Sequence, residues 1–298
     1  MSYTKILLLP LEPNCSIHYS SSYSKYIDYT MTESSTTTTL RALGFCGADD
    51  SVHPRFLVLI AHAYPAVEFG VLFRPDKEGQ PRYASTAWVE QLAGIISSSS
   101  SKPRRHQMKL AAHLCGARVN QVLSGSHDGI AFLQQIVAWG FQRVQINATA
   151  VNGVDTSRLA EQVTTVAKVM EQFPQIEFIL QKNEETQPLW QGLLDYGLPK
   201  NVSMLVDESK GTGVSASHWP VPCKDYEMGY AGGIGPHNVR QVLSDIRTVA
   251  AGRSIWIDME SSLRSIKNDK DVFDLDKCFD VIQTVVDMGF LPQAKLDD

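Results

Sequence analysis

Eight short apolar runs in this sequence end on, or close to, a side chain that can move a proton or bind an anion. In chain order these are Cys46, Arg82 (in the loop after the second run), His113, Asn147, Gln181, Asp207, the pair Gly232-Gly233, and Asp258 with Glu260. In α/β proteins ligands meet the carboxyl ends of strands, so residues of these types at these places are the first candidates for a site. The segment Ala231-Gly232-Gly233-Ile234-Gly235-Pro236-His237-Asn238-Val239 suits an anion. Its glycines let backbone N–H groups approach a phosphate, and a helix predicted to begin at Pro236 adds its positive end. Gly211-Thr212-Gly213-Val214-Ser215-Ala216 has the spacing of a dinucleotide fingerprint, but Pro220 and Pro222 leave no room for the helix it requires. A nicotinamide cofactor is therefore not expected. His113 and Cys115, with Asp49 and Asp50, are metal-ligand types without diagnostic spacing, so no metal is expected. Lys182, beside Gln181, leaves a Schiff-base reading open if it faces the site.

These residues need strands to carry them. Strand-like runs are predicted at Arg41–Cys46, Val67–Phe73, Lys109–Leu114, Arg143–Asn147, Glu177–Gln181, Val202–Asp207, Glu227–Ala231 and Ile255–Met259. Helical spacing lies between most of them. Thr156–Phe173 places Leu159, Val163, Val166, Val169 and Met170 on one face, and further helices are predicted at Pro236–Ala250 and Phe273–Met288. The connection from Asp207 to Glu227 is rich in Gly and Pro and shows no long helix. Alternating strands and helices imply parallel strands with crossovers, and eight such units close into a single (β/α)8 TIM barrel. An open doubly wound sheet is the rival architecture.

Composition narrows the functional classes. The chain has 298 residues, 27 basic against 32 acidic, for a net charge of −5. That balance argues against a nucleic-acid partner, which a basic stripe would mark. The apolar stretch Ile6–Leu11 is too short to span a membrane, so no membrane partner is expected. Five scattered cysteines with no CxxC pair point to a reducing, cytoplasmic compartment. Between Ser16 and Thr39, 13 of 24 residues are Ser or Thr. Residues 1–40 are therefore read as a disordered or loosely docked low-complexity arm, with Met31 a possible later start, and residues 41–298 as the barrel domain. Ser97–Ser101 followed by Lys102-Pro103-Arg104-Arg105 reads as an exposed loop.

Several segments then carry a family resemblance. Phe45-Cys46-Gly47, Val71-Leu72-Phe73-Arg74-Pro75 with Arg82-Tyr83, and Leu205-Val206-Asp207 with Gly211-Thr212-Gly213 and Trp219 resemble phosphoribosylanthranilate isomerase. So do Ala231-Gly232-Gly233 with Pro236-His237-Asn238-Val239, and Ile257-Asp258 with Ser261, in the family's order from about residue 42 to 265. The resemblance implies a cofactor-free Amadori rearrangement of a small phosphorylated sugar on a (β/α)8 barrel. It implies Asp207 as general acid, Cys46 as general base, and Arg82 on a substrate carboxylate. Gly232, Gly233 and Ser261 would hold the phosphate. His113, Asn147 and Asp258 complete the candidate substrate-binding set.

The implied roles make physical demands. Asp207 must stay partly protonated near neutral pH, and Cys46 needs a lowered pKa. Two departures stand out. The family's Ser-Ser-Gly phosphate turn is replaced by Glu260-Ser261-Ser262, whose carboxylate repels a phosphate unless Arg264 reaches back to offset it. At the fourth strand Asn147 replaces a histidine. A lyase or aldolase on another small anion, and a non-catalytic binding barrel, are the alternatives.

Overall fold

The apolar runs become eight parallel strands closed on themselves. They are β1 (Thr39–Cys46), β2 (Val67–Phe73), β3 (Lys109–Leu114), β4 (Arg143–Ile146), β5 (Glu177–Lys182), β6 (Val202–Val206), β7 (Met228–Tyr230) and β8 (Ser254–Met259). Each pairs with the next, and β1 pairs with β8 through Gly44–Asp258 and Phe45–Met259, which closes the barrel. The open-sheet alternative is thereby excluded. Around it run α1 (Pro54–Ala63), α2 (Thr86–Ser98), α3 (Ala117–Leu123), α4 (His127–Ala138), α5 (Val163–Gln172), α6 (Gln187–Tyr196), α7 (Val239–Ala250) and α8 (Leu275–Asp287). The computed structural model describes residues 38–98, 108–207 and 218–294. The arm up to residue 37 with Met31, residues 99–105 of the Ser-rich loop, and Gly211–Ala216 lie outside the described residues.

Local chemistry moved some boundaries. The segment expected as one helix from Thr156 begins instead with short 3₁₀ turns at Thr156–Arg158 and Ala160–Gln162, and α5 proper starts at Val163. Helix α7 starts at Val239 rather than Pro236, because Asn238 ties up the turn before it. Its Oδ1 accepts from the Gly235 N–H at 2.9 Å, and its Nδ2 donates to the Gly233 carbonyl at 2.9 Å. Phe273 belongs to a strand, not to α8. It ends β10 (Lys270–Phe273), which pairs antiparallel with β9 (Arg264–Lys267). The two residues between them, Asn268 and Asp269, have φ of 51° and 59°. Asn and Asp tolerate that left-handed conformation, which a two-residue hairpin requires.

Inward side chains stack in layers that separate the base of the barrel from its mouth. At the base, Arg143 donates to Glu68 Oε1 at 2.7 Å and to Glu177 Oε1 at 3.0 Å. Arg41 also pairs with Glu177, which accepts from the Ser203 hydroxyl at 2.6 Å. Above this layer lie Ala42, Ile179, Leu205, Ala231 and Trp256. The Trp256 ring receives both Arg41 and Arg143 guanidinium groups, at 4.6 and 4.4 Å from its centroid. Room for it comes from Gly229, where an added Cβ would lie 2.1 Å from the indole.

The base layer has a pH signature. Burial works against ionised Glu177, but Arg143, Arg41 and Ser203 outweigh it and hold the carboxyl down to about 2. A carboxyl more acidic in the fold than in the unfolded chain, where it titrates at about 4.3, stabilises above that pH. That contribution is lost as pH falls toward the folded value. In urea unfolding, Glu177→Gln is expected to be less stable than the parent at pH 7, with the gap shrinking between about pH 4 and pH 2. A pH-independent gap would show that Glu177 acts by packing alone.

Candidate active site

The carboxyl ends of the strands surround a cavity of about 500 Å³ whose lining includes Arg82, His113, Asn147, Asp207, Asp258 and Glu260. Gly232, Gly233 and Ser261 also reach it. His113 and Asp258 arrive by the twofold alternation of β3 and β8, and the others come from the loops that follow the strands. Cys46, the last residue of β1, sits beneath this lining and is fully buried. Its sulfur is 3.3 Å from His113 Nδ1, on β3. Asp207 directly follows β6. Gln181 of β5 donates to its Oδ2 at 3.1 Å, and Asn183 donates to its backbone carbonyl at 3.2 Å. The Oε1 of Gln181 is buried without a hydrogen-bond donor. Gln145, two residues before Asn147 and so on the same face of the chain, donates to Asn147 Oδ1 at 2.7 Å. Asn147 in turn donates to the Cys115 sulfur at 3.4 Å.

Arg82 has φ of 80°, an uncommon conformation for a side chain of its size. Its N–H is held by Asp49 Oδ2 at 2.6 Å. This turn aims the guanidinium across the mouth, where it donates to Glu260 Oε1 at 3.2 Å and Ser261 Oγ at 2.9 Å. The unexpected carboxylate of Glu260 is therefore the partner of the expected anion-binding arginine. Arg264 does not reach back to the mouth. It is buried, donating to Asp49 at 2.8 Å, to the Gly47 carbonyl at 2.8 Å and to Asp271 at 2.7 Å. Its role is to fasten the β9–β10 hairpin to the loop after β1.

The electrostatics differ from what a thiol base was expected to need. Burial and the nearby carboxyls of Glu260 and Asp258 push the Cys46 thiol well up rather than down. Burial and the charge of Arg143 push His113 down to about 3, so its imidazole is neutral, and its Nδ1 shares a hydrogen bond with the Cys46 thiol. Desolvation and the charges of Glu68 and Glu260 push the Asp258 carboxyl well up. Burial also raises Glu260, with Arg82 opposing it. The mouth thus disfavours the ionised forms of Cys46, Asp258 and Glu260. The expected neighbours of His113 were Asp49 and Asp50. Asp49 is instead engaged by Arg264, and Asp50 accepts from the Ser85 N–H at 2.7 Å.

Sequence reasoning named Cys46, His113, Asn147, Asp207, Asp258, Arg82, Gly232, Gly233 and Ser261, and all but Cys46 line one cavity, with Cys46 bonded to its wall. It missed Gln145, gave Gln181 no role although it named it as a strand-end candidate, and read Glu260 only as a departure from the phosphate turn. Extending the two-residue alternation back from Asn147 would have found Gln145. Lys182 faces away. Its amino group donates to the Tyr226 hydroxyl at 2.7 Å and lies over the Trp190 and Tyr226 rings, while Gln181 takes the inward position. The Schiff-base reading loses its lysine.

No protein-family model and no curated protein matches this chain. Among solved structures it is similar to N-(5'-phosphoribosyl)anthranilate isomerase from Pyrococcus furiosus, at 12% identity and a TM-score of 0.45, over 83% of this chain and 98% of that one. The phosphoribosyl anthranilate isomerase from Thermococcus kodakaraensis aligns at 12% identity and 0.45, over 83% and 99%. D-Psicose 3-epimerase from Clostridium cellulolyticum H10 aligns at 14% and 0.42, over 74% and 86%. At these values the likeness decides nothing about chemistry. Among the described residues, no helix is long and apolar enough to cross a membrane.

If Arg82 binds anions as the sequence implies, its pairing with Glu260 must weaken that binding. Removing the carboxylate's charge frees the Arg82 guanidinium from its ion pair, so Glu260→Gln is expected to bind inorganic phosphate about tenfold more tightly than the parent. Calorimetric titration checks this. Equal affinity would mean that Arg82 takes no part in holding the anion.

Proposed function

We propose that the barrel is a sugar-phosphate isomerase of the phosphoribosylanthranilate isomerase type, converting an N-substituted aminoaldose phosphate to the aminoketose. The observation that supports it most is the convergence of the Asp207 carboxyl, the Arg82 guanidinium and the His113 imidazole on a single cavity, with the Cys46 thiol against that imidazole. Asp207, oriented by Gln181, gives its proton to the ring oxygen as the C1–O bond breaks. The nitrogen lone pair then forms a C1 iminium cation. The Cys46 sulfur, its own proton given up to His113 Nδ1, takes the proton from C2, and the electron pair left behind closes the enamine that tautomerises to the ketose. Arg82 binds the substrate's carboxylate, and the Gly232-Gly233 turn donates backbone N–H groups to phosphate.

A thiol pushed up by burial is a poor base until a positive charge forms beside it. The iminium supplies that charge, so the base is activated by the intermediate it acts on. The pH dependence follows from the direction of that shift. Thiolate becomes more abundant as pH rises, so kcat/KM is expected to climb through and beyond the ordinary thiol range of about 8.5. Cys46→Ser should remove this rise. A profile flat from pH 6 to pH 9 would exclude the thiol as base. Asp207→Asn is expected to lower kcat by at least about 100-fold and to abolish rescue of a tryptophan auxotroph lacking the isomerase step. Failure of the parent protein to rescue would overturn the substrate assignment.

A further inference from the structure

Four adjacent strands build a second kind of site beneath the mouth. Asp258 on β8 leans over Gly44 of β1, where an added Cβ would lie 2.3 Å from its Oδ1. His113 on β3 leans over Gly70 of β2, where an added Cβ would lie 2.8 Å from its Nε2. Both glycines keep space open beside Cys46, Gly44 on its own strand and Gly70 on the next, where Gly70 is the register partner of Cys46 itself. As a result one ligand atom each from Cys46, His113 and Asp258 lies within 4.8 Å of the others. A tetrahedral ion with bonds of about 2.3 Å to sulfur and about 2.0 Å to nitrogen holds those two atoms about 3.5 Å apart. The Cys46 sulfur and His113 Nδ1 are 3.3 Å apart.

Asp258 is the member a merely structural cluster does not explain. Among the described residues nothing donates a hydrogen bond to its carboxyl, which faces the cavity. A partly buried carboxyl without a donor lacks the compensation that burial of a polar group requires. Glu260 Oε2 lies 3.9 Å from the Cys46 sulfur and is the nearest further oxygen donor. We propose that Cys46, His113 and Asp258 form a binding site for a borderline divalent cation such as Zn²⁺ or Co²⁺, with the fourth position open to the cavity for Glu260, water or a ligand oxygen. One thiolate, one imidazole and one carboxylate match the donor preference of such ions. On binding, the thiol and the carboxyl release their protons to solvent, Nδ1 takes the metal, and Nε2 keeps the imidazole proton. Two negative ligands then balance the charge of the ion. This site does not rest on the isomerase reading. A metal-bound Cys46 cannot be a base, so loading the site withdraws the sulfur that the isomerisation uses.

Cobalt titration of the chelator-treated full-length protein, without substrate, tests this. The expected result is saturation at one Co²⁺ per chain, with a near-ultraviolet thiolate-to-cobalt charge-transfer band and the strong visible bands of a four-coordinate ion. Cys46→Ser should lose the charge-transfer band, and Cys223→Ser should keep it. Asp258→Asn should weaken cobalt binding at least about tenfold. If Cys46→Ser fails to fold, Zn²⁺ protection of Cys46 from alkylation in the parent, read by peptide mass spectrometry, replaces it. Absence of a saturable thiolate band, its persistence in Cys46→Ser, or alkylation of Cys46 unchanged by Zn²⁺ would overturn the site. These readouts involve no turnover, so failure of the isomerase reading leaves them intact, and the converse holds.

Discussion

Everything at the mouth depends on how the barrel axis is filled. Trp256 lies across it, with Arg41 and Arg143 against its ring and Gly229 ceding the space a side chain would take. A charged layer centred on Arg143 can exist below this plug because Glu68 and Glu177 meet its guanidinium directly. Above the plug, the carboxyls of Asp207, Asp258 and Glu260 share the cavity lining with Arg74, Lys77 and Arg82. Arg143 still acts across the divide, since its charge helps keep His113 neutral. The charged layer thus adds to burial in setting the titration of the cavity floor, through Arg143 on His113 and Glu68 on Asp258.

This polarity gives the two functional readings a common root. Burial and neighbouring carboxyls disfavour the ionised forms of Asp258 and the Cys46 thiol. Such groups respond strongly to any cation brought among them. The proposed iminium intermediate and the proposed divalent metal ion are two such cations, one formed in the isomerisation and one taken from solution. Arg82 answers the same field from the rim, where Glu260 engages it.

Much of this arrangement can be read from the sequence, because β-strand alternation is a local code. The runs ending at Cys46, His113, Asn147 and Asp207 carry apolar residues outward and their polar ends inward, so strand identity and facing follow together. Helix starts were less legible where a side chain competes for the backbone. Asn238 caps a turn that Pro236 alone would have opened as a helix. Long-range pairings were not legible at all. Arg82 and Glu260 are 178 residues apart, and only barrel closure makes them neighbours. The same holds for Cys46, His113 and Asp258, whose spacing in the chain resembles no ligand motif although strand order brings them together. Arg264 looked available to a ligand because its burial partners, Asp49 and Asp271, cannot be inferred from its own surroundings in the sequence.

The central claim is that the mouth moves a proton, not a hydride, between C2 of an aminoaldose phosphate and the Cys46 sulfur. The most direct measurement is the fate of a deuterium label at C2 of phosphoribosylanthranilate turned over in ordinary water, followed by mass spectrometry of the aminoketose. Transfer through an exchangeable thiol predicts a product that has lost the label to solvent. A product that retains the label, carried from C2 to C1, would contradict the account.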